Sequence, residues 1–167
     1  VNYKFLGYDE DGNAADQSID LVFLNPKFGF SHFLSTNKRV YASYAIGNKE
    51  PSRNDYIESS PNSRPKPETL YDIEFGYRQV ANKLSFGINF YRMDYENQLV
   101  LTGQINDVGA YTRQNIEESY RQGIEIDGGY KFNNKLNWQG NITLSNNKIS
   151  EFIEYIDNWD TWGQEYI

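Results

Sequence analysis

Between residues 70 and 90 the chain alternates with a period of two. Tyr71, Ile73, Phe75 and Tyr77 stand between Asp72, Glu74, Gly76 and Arg78; after residues 80–83, Leu84, Phe86, Ile88 and Phe90 stand between Ser85, Gly87 and Asn89. Successive side chains of a strand point to opposite faces, so the pattern predicts a hairpin with one apolar and one polar face. Its turn is short and holds Asn82, a residue type suited to tight turns.

The same unit recurs along the chain. In residues 21–34, Val22, Leu24, Pro26, Phe28, Phe30, His32 and Leu34 alternate with Asn25, Lys27, Gly29 and Ser31. In residues 39–47, Val40, Ala42, Tyr44 and Ile46 are set against Arg39, Ser43 and Gly47. Residues 122–132 oppose Ile124, Ile126, Tyr130 and Phe132 to Glu125, Asp127, Gly129 and Lys131. Residues 136–145 oppose Leu136, Trp138, Ile142 and Leu144 to Asn137, Gln139, Asn141 and Thr143. Val1, Tyr3 and Phe5 suggest the end of a further strand. The strand starting at Leu84 continues to Thr102, but its parity slips near Tyr91, which predicts a bulge. Residues 104–121, with Gly109, read as part strand and part turn.

Connections alternate in length. Residues 35–38, 80–83 and 133–134 are short turns; residues 9–20, 48–69 and 150–167 are long. Pro51, Pro61, Pro65 and Pro67 argue against ladder pairing or helix within 48–69. No Asp, Glu, Lys or Arg falls on the apolar parity within the core of a clean strand. Short turns at one end and long loops at the other are the pattern of an up-and-down barrel. A soluble β-sandwich also alternates and stays open on pattern alone.

Composition narrows the classes. Lys plus Arg is 16 and Asp plus Glu is 23, a net charge of −7 that disfavours a nucleic-acid partner. With no cysteine, disulfides and thiolate metal sites are excluded. Aromatics make up 16% of the chain and mean hydropathy is −0.75. No apolar run reaches the roughly 20 residues of a membrane helix, whereas barrel strands keep average hydropathy low. The chain begins without Met and stops at Ile167 in loop-like sequence, and so reads as a segment of a longer protein.

Candidate chemistry is sparse. His32 is the only histidine, on the apolar parity, and reads as a packing or interfacial residue. Asp72, Glu74, Glu125 and Asp127 share the polar parity with Arg78, Arg39 and Lys131, which suits cross-strand pairing. A glycosidase pair among them would need a cleft with a distinct acid and base, and regular strands do not offer one. Residues 9–16 place oxygen ligands as a calcium loop does, but Ala14 occupies the position where that loop needs glycine. Tyr155, Trp159 and Trp162 suit either ligand stacking or an interfacial aromatic belt. No catalytic residue, metal site or cofactor is expected.

The segments Asn25-Pro-Lys-Phe-Gly-Phe30, Val40-Tyr-Ala-Ser-Tyr-Ala45 and Lys49-Glu-Pro-Ser-Arg-Asn-Asp-Tyr56 follow one another in order. Then come Lys66-Pro-Glu-Thr-Leu-Tyr-Asp-Ile-Glu-Phe-Gly-Tyr77 and Gln122-Gly-Ile-Glu125. This ordered set resembles the barrel of TonB-dependent outer-membrane receptors, with Phe75 in place of a leucine and Ile124 in place of a valine. The resemblance implies an all-β fold of antiparallel up-and-down strands, part of a plugged transmembrane β-barrel of about 22 strands. This chain would supply about seven to nine of them, without the plug domain or the C-terminal barrel strands. It implies a place in the outer membrane of a Gram-negative bacterium and active uptake of a scarce ligand such as an iron-siderophore. The implied partners are outer-membrane lipid, the plug and remaining barrel strands, TonB acting through the plug, and an iron chelate. Under that reading Asp72, Glu74, Arg78, Glu125 and Asp127 face the lumen. Arg53, Asp55, Arg64, Trp159 and Trp162 lie in outer loops as ligand contacts. The other class is a soluble β-sandwich module that binds a ligand or sugar.

Overall fold

The computed structural model describes residues 2–5, 17–57, 64–105 and 111–167. A small hairpin joins β1 (Asn2–Phe5) to β2 (Gln17–Asp20). The main sheet holds β3 (Lys27–Ser35), β4 (Lys38–Lys49), β5 (Glu68–Val80), β6 (Leu84–Ile105), β7 (Tyr111–Lys131) and β8 (Asn137–Ile149). These six strands lie side by side in chain order, every neighbour antiparallel. A one-turn helix α1 (Arg53–Ile57) sits between β4 and β5. A second hairpin, β9 (Tyr155–Asn158) with β10 (Gly163–Tyr166), follows the sheet.

Register places every clean apolar parity on one side. Ala42 lies opposite Phe75, Phe75 opposite Phe90, Phe90 opposite Ile124, and Ile124 opposite Leu144. Phe28 and Phe30 extend this face across β3, against Tyr44 and Ala42. No second layer covers it among the described residues: Phe28 is 67% exposed, Phe75 54% and Ile142 64%. A soluble sandwich buries such a face against a second sheet, and here none packs on it.

Several local expectations are corrected. Residues 21–26 are irregular, because Pro26 has no N–H to give the ladder. The Pro26 carbonyl still accepts from Ile46 N, while Asn48 bonds the Asn25 side chain and the Leu24 carbonyl. There is no bulge at Tyr91; β5 and β6 pair without a shift from Thr69↔Glu96 to Val80↔Ser85. The apolar residues simply stop at Phe90, and Arg92 and Asp94 take over the same parity. Residues 111–121 continue as β7 without a break, while Gly109 and residues 9–16 lie outside the described residues.

The proline-rich connection is also more ordered than its composition suggests. The ladder reaches Lys49 and Glu68, which form an ion pair at 2.8 Å. Between Pro51 and the next prolines, Ser52 caps α1: Asp55 N donates to Ser52 Oγ at 3.3 Å, and Ser52 N to Asp55 Oδ2 at 2.6 Å. That reciprocal pair is a capping box in which Asp replaces the usual Glu. Residues 155–158 and 163–166, expected as loop, form a hairpin because Asn158 Oδ1 accepts from Asp160 N and Thr161 N and closes the turn.

Candidate functional site

Three surfaces follow from this register: an apolar face, the opposite polar face, and the far end where β6 and β7 outrun their neighbours. On the apolar face the band from Leu84 to Phe90 on β6 ends at a polar row. There Arg92 grips Asp94 at 2.7 Å, donates to Gln122 Oε1 at 2.9 Å and lies 4.8 Å over the Tyr120 ring. Tyr44, Tyr71 and Tyr120 stand toward that end of the face; Tyr77, Tyr130, Phe132 and Trp138 stand toward the short turns. Tyr130 and Phe132 meet edge to face at 5.0 Å, and His32 stacks with Phe30 at 6.4 Å. Two aromatic rims around an apolar band are what a barrel presents to lipid.

The polar face is built of small residues bridged by long ones. Tyr41 lies across Gly76 and donates to Asn89 Oδ1 at 3.0 Å; a Cβ on Gly76 would stand 2.5 Å from the Tyr41 hydroxyl. Tyr91 covers Gly123 in the same way. Asp127 leans over Gly87 toward Arg78, Nη2 to Oδ2 at 3.8 Å. Thus Asp72, Glu74, Arg78, Glu125 and Asp127 do share one face, as the parity implied. Only Arg78 and Asp127 among them form an ion pair with each other. Glu74 sits opposite Ser43 and Tyr91, and Glu125 opposite Asn89 and Thr143. Asp72 Oδ1 is buried and accepts no hydrogen bond from the described residues.

The far end gathers the loops. Asp55, on α1, reaches Arg113 of β7 at 3.8 Å. Asn115 of β7 exchanges two hydrogen bonds with Lys66, at 2.7 and 3.0 Å. Arg64 is exposed, next to buried Pro65 and two residues from this tether; Arg53 is exposed on α1. The β9–β10 hairpin hangs on the end of β6, where Gln164 accepts from Ile105 N and donates to the Gly103 carbonyl. Gly103 has φ +82°, and a Cβ there would stand 2.3 Å from the Tyr155 carbonyl, so glycine is required. Trp159 and Trp162 meet edge to face at 6.1 Å, 73% and 85% exposed. The five loop residues singled out in the sequence therefore all fall at one end of the sheet. Sequence reasoning missed Arg113 and Asn115, which anchor the loop; they sit in residues 104–121, where no alternation marked a strand.

The profile of the family described as TonB dependent receptor-like, beta-barrel, matches residues 2–166. The chain belongs to that family. Its sheet is therefore a segment of a TonB-dependent receptor barrel, and its relatives are receptors and transporters. Solved structures agree on the fold. The siderophore receptor PirA from Pseudomonas aeruginosa aligns with TM-score 0.65 at 18% identity, over 80% of this chain and 26% of that one. The copper transporter OprC aligns with TM-score 0.68 at 14% identity, over 83% and 22%. The FrpB iron transporter from Neisseria meningitidis (F3-3 variant) aligns with TM-score 0.62 at 17% identity, over 87% and 22%. The chain thus spans about a quarter of the length of these structures. A search of curated protein sequences finds no match.

Proposed function

We propose that this chain is the lipid-embedded and ligand-facing part of an outer-membrane receptor that takes up a scarce ligand such as an iron-siderophore. The observation that carries the proposal is the uncovered apolar face running from Phe28 on β3 to Leu144 on β8, bounded by the Arg92–Asp94 row. A contiguous exposed patch of that extent has no place on a soluble monomer. Lipid covers it in this reading. The opposite face, with Asp72, Glu74, Arg78, Glu125 and Asp127, lines the lumen against the plug. The remaining barrel strands of the parent receptor pair with the edges of β3 and β8, and TonB acts through the plug. The end that carries α1 and the β9–β10 hairpin meets the ligand outside the cell.

Arg53, Asp55, Arg64, Trp159 and Trp162 are the proposed contacts, since Arg and Trp anchor binding surfaces more often than small polar residues do. The iron chelate is supported by two structural neighbours, an iron transporter and a siderophore receptor. Transport is tested by producing the full-length receptor in an iron-starved host that lacks its own chelate receptors. Growth on a ferric chelate that disappears when tonB is deleted is the expected outcome. Growth without TonB, or none on any ferric chelate, contradicts the ligand class. Orientation is tested separately on whole cells with a membrane-impermeant maleimide. Asn54→Cys and Thr161→Cys should label, and Asn37→Cys and Asn134→Cys should not.

A further inference from the structure

An open hollow of about 420 Å³ runs along the β9–β10 hairpin, lined by Ile156, Trp159 and Tyr166 together with Asp157, Asp160 and Glu165. Glu165 and Asp157 are each held by one hydrogen bond, from Asn158 at 2.5 Å and from Gln164 at 2.8 Å. Residues 150–167 contain no Lys or Arg, and no ion pair among the described residues reaches these three carboxylates. Trp162 braces Trp159 edge to face from a φ of +53°, a conformation that a bulky residue adopts only under constraint. An interfacial aromatic belt does not account for the two indoles. Gly103, where the hairpin is tied, lies eleven residues beyond Arg92 on β6. At about 3.3 Å per residue and a tilt of about 45°, that is roughly 25 Å past the end of the apolar band, against about 5–8 Å for a headgroup layer. The four-residue arms of β9 and β10 recover at most about 13 Å of it.

We propose that this hollow is a subsite for a cationic group, an ammonium or guanidinium carried by the ligand. The proposal rests on the outward, ligand-facing reading of this end made above, and adds to it the charge of the group that is bound. A cation over an indole face is attracted by the negative face of the ring, and Trp159 offers such a face 73% exposed. Asp160 and Glu165 beside it supply negative charge that no cation of the described residues answers. Charge complementarity therefore decides between occupants. An anionic group would meet three carboxylates. A neutral or apolar one would stack on the indole and leave the carboxylates without a counter-charge.

The test uses the full-length receptor in lipid nanodiscs, labelled with 5-fluorotryptophan. The fluorine resonances of Trp159 and Trp162 are assigned by their loss in Trp159→Phe and Trp162→Phe. The probes are n-butylguanidinium, n-butanol and n-butyrate. The expected result is a saturable shift of the Trp159 resonance with butylguanidinium and none with the other two at the same concentration. In Asp160→Asn/Glu165→Gln the apparent Kd for butylguanidinium rises about fivefold, the size of exposed charge contacts, with the barrel's heat-modifiable gel shift unchanged. Trp159→Leu, read at Trp162, weakens binding about threefold. No shift with butylguanidinium, an equal shift with butanol or butyrate, or a Kd indifferent to both carboxylates overturns the subsite. Whole-cell labelling of Thr161→Cys is scored separately. Its failure withdraws the outward placement, whereas a missing fluorine shift with labelling intact overturns the cation subsite alone.

Discussion

The same two strands live in two surroundings. Over its first seven residues β6 shows Leu84, Phe86, Ile88 and Phe90 on a face that nothing among the described residues covers. From Arg92 onward that parity carries Arg92, Asp94 and Glu96, and loops close around the strand instead. The buried side chains of the main sheet and its connections belong to this second region: Tyr56 at 1% exposure, Ile116 at 6%, Thr102 at 3% and Ser119 at 7%. The ladder between β6 and β7 crosses the boundary in unchanged register, from Leu84↔Tyr130 to Leu101↔Arg113. Backbone pairing thus continues unchanged, and the side chains alone mark where the apolar band ends. β6 has 22 residues, about twice the 9–11 that a barrel strand needs to cross a bilayer. The excess forms a platform on which α1 and the β9–β10 hairpin are fixed.

This contrast can be broken most strongly in the band. Ile124→Arg or Phe86→Arg should destabilise the full-length barrel by about 2–4 kcal/mol on refolding into lipid vesicles, if these sites lie near mid-membrane. Glu125→Arg, one residue from Ile124 and on the opposite, polar face, should cost much less. Equal costs would remove the two-faced assignment.

A second change acts through the polar face. Gly76→Ala places a Cβ 2.5 Å from the Tyr41 hydroxyl and 2.6 Å from the Ile88 carbonyl, so the ladder itself must shift. The expected loss is about 1–3 kcal/mol in urea-induced unfolding from vesicles. Gly47→Ala, with nothing within 4 Å, should be close to neutral. A weaker effect is expected in the platform. Ser52→Ala removes the α1 cap and should cost about 1 kcal/mol locally, seen as faster amide exchange in residues 53–57 with the band unaffected. Exchange that rises along β5 as well would show that the loop stabilises the band.

Legibility followed the surroundings. Where one face is apolar and uncovered among the described residues and the other is polar, alternation is sharp, and Phe75, Phe90 and Ile124 could be placed on one face from sequence. Where both faces meet water or loops, the signal is lost: Arg92 and Asp94 on the apolar parity look like a slipped register, and Arg113 to Arg121 look like turn. The helix at residues 53–57 was hidden by its flanking prolines, although Ser52 and Asp55, three residues apart, carried the capping signal. The ladder's failure at Pro26 was legible in principle from the missing N–H. The polar-face set was readable as a face. Its pairing was not, because the Arg78–Asp127 contact depends on Gly87 leaving the space between them.

The account stands on β6 changing surroundings without changing register. The most direct test is a nitroxide scan of residues 84–96 in the full-length receptor reconstituted in bilayers, reading oxygen against a water-soluble nickel chelate. The prediction is a period of two throughout, with oxygen favoured at 86, 88 and 90 and the nickel chelate taking over at 92, 94 and 96. A one-residue shift of the period near 91, or oxygen still favoured at 94 and 96, would contradict it.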